Sequence, residues 1–153
     1  LTVKLLKEDV DKVVLSIVPC IPLGHSFGRL GCLFAGCCYG SEYNGFLAVL
    51  LNINGTVVST FPIQAVEAAL NLFLFFGLVC IASRIKKGVL LLPIYLYAYS
   101  AIRFCLEFFR GDSVRGMLFG LSTSQWICIV IALVCTIYLI TQKTIKRKRI
   151  QHI

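Results

Sequence analysis

The chain has 153 residues, of which 58% are hydrophobic and 14% are charged, and its formal net charge is +8. This composition, with a mean hydropathy of +0.87, excludes a soluble globular domain and indicates an integral membrane protein with one membrane domain. Five basic residues lie between positions 143 and 149, directly after an apolar run. A basic cluster in that position is typical of a topology determinant beside anionic lipid, so no nucleic-acid partner is predicted.

The first apolar segment runs from about Val13 to Ala35, after a mixed-charge N-terminal leader at residues 1–12. As a helix that rises by about 1.5 Å per residue, it is long enough to cross a hydrocarbon core of ~30 Å. Pro19, Pro22 and Gly24 predict that this helix breaks or kinks midway. Irregular backbone in hydrocarbon must be covered by protein or line a polar cavity, so we expect a polar cavity beside the second half of the segment.

Residues 24–40 are rich in glycine and cysteine and include a histidine and an arginine, His25 and Arg29. A strip of glycines at roughly helical spacing would let another backbone or a lipid head group approach closely. Its members are Gly24, Gly28, Gly31 and Gly36. A charge inside hydrocarbon is costly, so Arg29 marks a polar cavity or an anionic partner. The same cavity would include His25.

The next stretch, from about 41 to 61, has the pattern of a β-hairpin. Two β-prone runs, 46–51 and 56–60, flank the residues Asn52 to Gly55, and Asn-Gly between such runs is a hairpin signal. Pro62 then ends the hairpin and begins a helix, where proline is favoured in the first turn. We expect a small extramembrane hairpin over the mouth of the cavity.

Three further apolar spans follow, at about 63–83, 89–109 and 124–141. The polytopic membrane domain is therefore predicted to cover residues 13–141. The sequence predicts an all-α integral membrane protein of about four transmembrane helices with a small extramembrane β-hairpin.

The distribution of basic residues predicts the orientation of these spans. The cluster at 84–87 and the basic tail at 142–153 follow the second and fourth spans, and the positive-inside rule assigns both to the cytoplasm. Both termini are then cytoplasmic, while the hairpin and the loop at 110–122 face outward. The polar cavity is predicted to lie toward the outer leaflet.

Polar side chains repeat at helical spacing within the second and third spans. They are Gln64, Glu67 and Asn71 in one span and Arg103, Glu107 and Arg110 in the other. Each set shares one face of its helix, so with Arg29 two acids and three arginines would converge at one membrane depth. A salt-bridge network that only holds the helices together is the alternative, but five charges at one leaflet favour a functional cavity.

Several motifs occur in the order and at the separations of a known family. They are Gly28-Arg29-Leu30-Gly31 with Tyr39-Gly40, residues 62–68, residues 103–110 and residues 120–125. On these residues, from about Pro22 to the C-terminus, the chain resembles the bacterial prolipoprotein diacylglyceryl transferases. Members of that family carry additional N-terminal membrane helices with a His-Gly-Gly type motif, and the chain is expected to lack this part.

The resemblance implies a transferase of the bacterial cell membrane that needs no cofactor. A diacylglyceryl group would move from phosphatidylglycerol to the lipobox cysteine thiol of a prolipoprotein, at the signal peptide, and glycerol phosphate would leave. The catalytic candidates are Arg29, Arg103, Glu107 and His25. The substrate-binding candidates are Gly28, Gly31, Gln64, Glu67 and Arg110.

The roles implied for these residues follow the charges in that reaction. Arg29 and Arg103 would hold the lipid phosphate, which suits the fork of donors on a guanidinium. His25 is the candidate base for the incoming thiol, although a hydrogen-bonded structural histidine is the alternative. The remaining polar residues would order and support the site.

The segment contains Cys32, Cys37 and Cys38, and two of these cysteines, Cys32 and Cys37, depart from the family pattern. The better-known enzymes have asparagine at the position of Cys32 and glutamate at that of Cys37. These thiols, with His25, are ligand types for zinc or a soft metal, although their spacing is not a standard zinc pattern. Packing, a redox or disulfide role, and a metal site all remain open. The alternatives to a transferase are therefore a membrane thiol or metal-binding protein and a non-catalytic lipid-binding relative.

Overall fold

The computed structural model describes residues 9–53, 55–85, 87–111 and 117–151 and is mostly helical. The helices of this part of the chain are α1 (Val10–Phe34), α2 (Ile63–Ala82), α3 (Leu91–Glu107) and α4 (Thr123–Gln151), with a 3₁₀ turn at Gly88–Leu90 before α3. Each of the four provides a segment long and apolar enough to cross a membrane. The predicted fold class is confirmed.

The first and last helices are longer than predicted. α1 begins inside the predicted leader, where the Asp9 side chain caps it by accepting a hydrogen bond of 3.1 Å from the Asp11 N–H. α4 continues through the predicted basic tail to Gln151. The remaining parts of the predicted leader and tail, residues 1–8 and 152–153, lie outside the described residues.

α1 remains helical through both of its prolines, so of the predicted break or kink the break is not found, and the kink stays a prediction. Pro19 and Pro22 are buried, together with Val18 and Ser26, on the face that packs against the other helices. A proline removes one backbone donor, and packing in a membrane bundle tolerates that loss. The Ser26 hydroxyl donates a hydrogen bond of 2.9 Å to the Ala68 carbonyl and thereby joins α1 to α2.

The bundle has an apolar end and a polar end. α1 packs mainly against α2, and α3 packs mainly against α4. At the apolar end the core consists of Val18, Leu78, Leu91 and Tyr95. At the other end, where α1 and α3 finish and α2 and α4 begin, the buried side chains are mostly polar: Gln64, Glu67, Asn71, Ser100, Arg103, Ser122 and Gln125. Helix packing thus concentrates polar groups at one membrane depth.

The predicted hairpin is present. β1 (Val49–Ile53) pairs antiparallel with β2 (Thr56–Thr60), and Ile53 faces Thr56 at the turn. Gly55 has a φ of 86° and its N–H donates 3.0 Å to the Asn52 side chain. The other turn residue, Asn54, lies outside the described residues. The strand begins three residues later than the predicted run at 46–51.

A second, smaller hairpin was not predicted. β3 (Met117–Leu118) pairs with β4 (Leu121–Ser122) across Phe119 and Gly120, both with positive φ, as a two-residue turn requires. Most of the predicted loop at 110–116 lies outside the described residues.

The start of α4 is fixed by a reciprocal cap. The Gln125 N–H donates 3.3 Å to the Ser122 hydroxyl, and the Gln125 side-chain oxygen accepts a hydrogen bond of 2.9 Å from the Ser122 N–H. This is a capping box, which satisfies donors that a helix start leaves open. Both side chains are buried at the polar end of the bundle, and each accepts a hydrogen bond from the backbone N–H of the other residue.

The loop after α1 closes over the end of α3. Gly40 forms a β-bridge with Arg110, and the Ser41 N–H donates 3.0 Å to the Phe109 carbonyl. A Cβ at Gly40 would collide with the Phe61 carbonyl oxygen, so this close approach requires glycine. The same loop continues to Glu42, which bridges to Thr60 of β2.

Candidate active site

Two arginine–carboxylate pairs lie at the polar end of the bundle. Arg29 of α1 places Nε 3.0 Å from Glu67 Oε1 of α2, and the Glu67 side chain is only 2% exposed. Within α3, Arg103 Nη2 lies 2.9 Å from Glu107 Oε2 across one helical turn. Both pairs join charged residues that were predicted from the sequence to lie at one membrane depth. Each buried carboxylate has a guanidinium beside it, as a low-dielectric site requires.

Some buried polar atoms near these pairs have no hydrogen-bond partner among the residues that the structure describes. Gln64 uses its amide nitrogen to donate 2.9 Å to the Cys37 carbonyl, and Asn71 donates 2.8 Å to the Glu67 carbonyl. The amide oxygens of Gln64 and Asn71 and the Nη1 of Arg103 remain unpaired. A buried polar atom without a partner is costly, so these three atoms point to a polar ligand.

Tyr99 is a further polar side chain at this end of the bundle, and the sequence analysis did not identify it. The charges of Glu67, Arg103 and Arg29 all act on its hydroxyl. Its position four residues before Arg103, on the helix face that also carries Glu107, is the signal that could have revealed it. Tyr99 therefore belongs to the wall of the candidate site.

His25 is at the edge of this cluster. It is exposed, and its ring centroid lies 5.1 Å from that of Tyr99. The histidine is thus brought near the ion pairs through an aromatic contact. Its predicted role as a base remains a prediction.

Arg110 reaches the site from beyond the end of α3 and contacts a thiol. Burial alone would raise the pKa of Cys38, but the hydrogen bond from Arg110 and the charge of Arg29 outweigh it and hold that pKa below its ordinary value. The neighbouring Cys37 behaves oppositely, because a hydrogen bond with the Cys32 thiol is the main cause that raises its pKa. Cys38 is therefore the more acidic of the two adjacent thiols.

The sulfur atoms of Cys32, Cys37 and Cys38 all lie within 4.8 Å of one another. The thiols are free, and Cys37 is exposed while the other two are half-buried. The structure thus brings together the two cysteines that depart from the family pattern, Cys32 and Cys37, and the adjacent Cys38. His25, which the sequence grouped with them as a ligand type, does not belong to this cluster.

The glycine strip on α1 is open. An added Cβ at Gly24, Gly28 or Gly31 would meet no atom of the described residues within 4 Å. The expected close approach of another protein backbone is therefore not found there. Gly36 ends the helix instead, with a φ of 66°. The side of α1 that carries Gly24, Gly28 and Gly31 therefore leaves room for a ligand such as a lipid head group.

A mostly apolar cleft of about 280 Å³ lies between α3 and α4. Its walls include Ser100, Phe104 and Cys128. The charges of Arg103 and Glu107 act on Cys128, so the cleft lies beside that ion pair. An apolar space next to a cationic group is the combination that an acidic lipid needs.

The chain is similar to one family of known proteins. The family model described as prolipoprotein diacylglyceryl transferase matches residues 3–141. The chain belongs to this family. Membership, together with the four apolar helices, makes it a multi-pass membrane protein. The family resemblance read from the motifs at 28–31, 62–68, 103–110 and 120–125 is thereby confirmed.

Three curated relatives of the family illustrate the similarity. A protein of Clostridium perfringens, named phosphatidylglycerol–prolipoprotein diacylglyceryl transferase 2, is 34% identical over 128 residues, which are 82% of this chain and 50% of the relative. The enzyme of that name from Clostridium tetani is 33% identical over 79% of this chain and 49% of its own length. A Helicobacter hepaticus protein named phosphatidylglycerol–prolipoprotein diacylglyceryl transferase is 33% identical over 86% of this chain and 48% of its own length. The chain therefore spans about half the length of the family members that it matches.

Proposed function

We propose that this chain transfers a diacylglyceryl group from phosphatidylglycerol to the lipobox cysteine thiol of a prolipoprotein. The observation that carries the proposal is Arg103 Nη1, a buried cationic donor without a partner among the described residues. Because its Nη2 is already next to Glu107, the remaining donor is oriented by that pair. A lipid phosphate supplies the anionic oxygen that such a donor needs.

The lipid would enter with its phosphate between the arginines and an acyl chain in the cleft between α3 and α4. The Arg29 side chain, held against Glu67 of α2, is 21% exposed, which gives a head group access to the guanidinium. Arg103 lies beside the apolar cleft. In this arrangement Gln64 and Asn71 offer acceptors for the glycerol hydroxyls.

The reaction is a displacement at a glycerol carbon. The thiol loses its proton to a base, the thiolate sulfur forms a bond to the carbon, and the carbon–oxygen bond to phosphate breaks. The electron pair of that bond leaves with glycerol phosphate, whose growing charge Arg29 and Arg103 stabilise. Glu107 and Arg110 order the site, and Glu67 supports it together with Gln64. His25, with its ring against Tyr99, is the base assigned by this proposal.

The membrane and leaflet are part of the proposal. The basic residues at 84–87 and 143–149 orient the chain with both termini in the cytoplasm of a bacterium. The polar end of the bundle then faces the outer leaflet of the cell membrane. A secreted precursor presents its signal peptide to that side, so the site and the peptide substrate would meet there.

The proposal is tested by incubating the purified chain with phosphatidylglycerol and a lipobox peptide and measuring the peptide mass. The wild-type chain should add one diacylglyceryl group. Arg103→Ala should reduce the rate about a hundredfold, or about 3 kcal/mol, because the phosphate loses a charged hydrogen bond. Arg103→Lys should recover only part of the lost transfer rate, since an ammonium lacks the planar fork of donors that a guanidinium has.

Arg84→Ala is the matched control, because Arg84 is an exposed arginine at the opposite end of α2. It should keep the wild-type rate. Wild-type chain that binds phosphatidylglycerol vesicles yet leaves the peptide mass unchanged would contradict the transferase and support a non-catalytic lipid-binding relative. Full activity of Arg103→Ala would contradict the assigned phosphate contact.

A further inference from the structure

The three thiols of Cys32, Cys37 and Cys38, called here the thiol cluster, form a feature that lipid transfer does not use. The transfer reaction takes its thiol from the peptide substrate, so it requires no cysteine of the chain. From the convergence of these sulfur atoms within 4.8 Å of one another we propose that the cluster is a binding site for a soft metal ion, with Cu(I) as the ion that fits it best.

The backbone holds the cluster in a fixed shape. Cys32 is in the last turns of α1, and the chain reverses after Phe34 through two residues of positive φ, Gly36 and Cys38. The Cys37 N–H donates 3.1 Å to the Cys32 carbonyl, which closes the reversal. The left-handed conformation is unusual for a residue with a side chain and turns the Cys38 thiol toward its neighbours.

The second support for this shape comes from α2. Gln64, a residue only 1% exposed, donates 2.9 Å to the Cys37 carbonyl. The segment that carries two of the thiols is therefore anchored to the bundle and not only to its own helix. A preformed ligand set loses less conformational entropy when it binds an ion.

The distances between the sulfurs suit one shared ion. A metal–sulfur bond of about 2.3 Å places two thiolates on one ion ~4 Å apart. Since every pair already lies within 4.8 Å, small side-chain rotations complete the site. Adjacent cysteines such as Cys37 and Cys38 usually direct their side chains apart, and here the backbone reversal removes that obstacle.

The composition of the ligand set selects the kind of ion. The cluster contains three sulfurs and no carboxylate or imidazole among the described residues. Structural zinc has four protein ligands, whereas Cu(I) accepts three sulfurs and prefers soft ligands. The guanidinium of Arg110 at Cys38, and that of Arg29 nearby, offset the negative charge that three thiolates leave on a monovalent ion. The charge around the cluster and the softness of its sulfur ligands therefore both favour Cu(I).

The experiment titrates the full chain, purified in detergent and reduced with a phosphine under anaerobic conditions, with Cu(I) held by a coloured chelator. The wild-type chain should remove one Cu(I) per molecule from the chelator. Each of Cys32→Ser, Cys37→Ser and Cys38→Ser should weaken the affinity at least ~100-fold, because each removes one ligand. Cu(I) should also raise the unfolding temperature of the wild-type chain but of none of these variants.

Cys20→Ser and Cys80→Ser are the matched controls, since both replace single exposed thiols outside the cluster. They should bind Cu(I) as the wild-type chain does. X-ray absorption of the loaded protein should show sulfur ligands only. These measurements do not involve lipid transfer, so their outcome is independent of the transferase proposal.

Three results would overturn the metal site. They are the lack of stoichiometric binding, binding that survives all three cluster variants, and binding that is lost equally in the controls. If protein purified without reductant contains a Cys32–Cys37 disulfide and the reduced protein takes up no Cu(I), the cluster is a redox site and the metal proposal is wrong.

Discussion

The two buried carboxylates of the candidate site depend on their arginines in different ways. Glu107 pairs with Arg103 on the same helix, one turn away, so α3 alone is enough to bring them together. Glu67 pairs with Arg29, which belongs to another helix and is 38 positions earlier in the chain (67 − 29 = 38). The Arg29–Glu67 pair therefore depends on the packing of α1 against α2.

We expect Arg29→Gln to destabilise the fold. The Glu67 side chain, 2% exposed, would keep a buried charge without its cation, and breaking a buried pair in this way costs about 3–5 kcal/mol. Thermal unfolding in detergent measures the change. Arg84→Gln, at an exposed position, should leave the unfolding temperature unchanged.

The double variant Arg29→Gln with Glu67→Gln distinguishes this explanation from a general loss of packing. Removing both charges should recover part of the lost stability, so the two changes should not be additive. Additive losses, or an Arg29→Gln variant as stable as Arg84→Gln, would show that the pair does not stabilise the interface between α1 and α2.

At the scale of elements, the loop after α1 and the glycine face of α1 use glycine for different purposes. Gly40 lies where backbones touch, because a Cβ there would meet the Phe61 carbonyl oxygen and approach the Phe109 carbonyl within 3.1 Å. At Gly28, by contrast, an added Cβ meets no described atom within 4 Å. Packing therefore requires glycine at position 40, whereas at position 28 it leaves room for a larger residue.

Gly40→Ala should therefore lower the unfolding temperature, since the loop must move away from β2 and the end of α3. Gly28→Ala is the matched change inside a helix, where replacing glycine stabilises by about 0.5–1 kcal/mol, so the unfolding temperature should stay equal or rise. Both are read by thermal unfolding in detergent. Equal losses in the two variants would contradict the assigned packing of the loop.

The transfer assay provides a second measurement on the Gly28→Ala variant. If a lipid head group uses the open face beside Arg29, Gly28→Ala should slow transfer although the protein is stable. A transfer rate equal to that of the wild-type chain would show that the head group contacts the arginines and not the glycine face.

For the whole molecule, the orientation in the membrane decides whether the polar end can meet a secreted peptide. Val57 in β2 is exposed near the polar end, and Lys87 is exposed at the opposite end of the bundle. In a background with serine at the thiol cluster and at the exposed Cys20, Cys80 and Cys105, Val57→Cys should react in intact cells with a membrane-impermeant maleimide. Lys87→Cys should react only after the membrane is permeabilised. The reverse pattern would place the site at the cytoplasmic leaflet.

Much of the architecture could be predicted from the sequence because its signals are local. Long apolar runs predicted the four helices, since backbone groups in hydrocarbon must be satisfied within the segment. Asn-Gly between β-prone runs predicted the hairpin of β1 and β2. The sequence could not decide between a break and a kink at Pro19 and Pro22, because packing against the neighbouring helices decides whether a proline interrupts a membrane helix.

The candidate site could be predicted only in outline. Helical spacing grouped Arg103 with Glu107 correctly, since both lie on one helix. Tyr99 was missed, although it lies four residues before Arg103 on the same helix face, because the charges of Arg29 and Glu67 that also act on it belong to other helices. The roles assigned to the site residues remain predictions until the variants are assayed.

The sequence by itself determined the membrane class, the helices, the first hairpin and the family, because composition, periodicity and ordered motifs are properties of the chain. The tertiary structure decided which charges meet, which glycines face open space, and that Cys32, Cys37 and Cys38 converge. Those facts depend on how helices pack and where a loop reverses, and small changes of angle alter such contacts while the local pattern of residues stays the same.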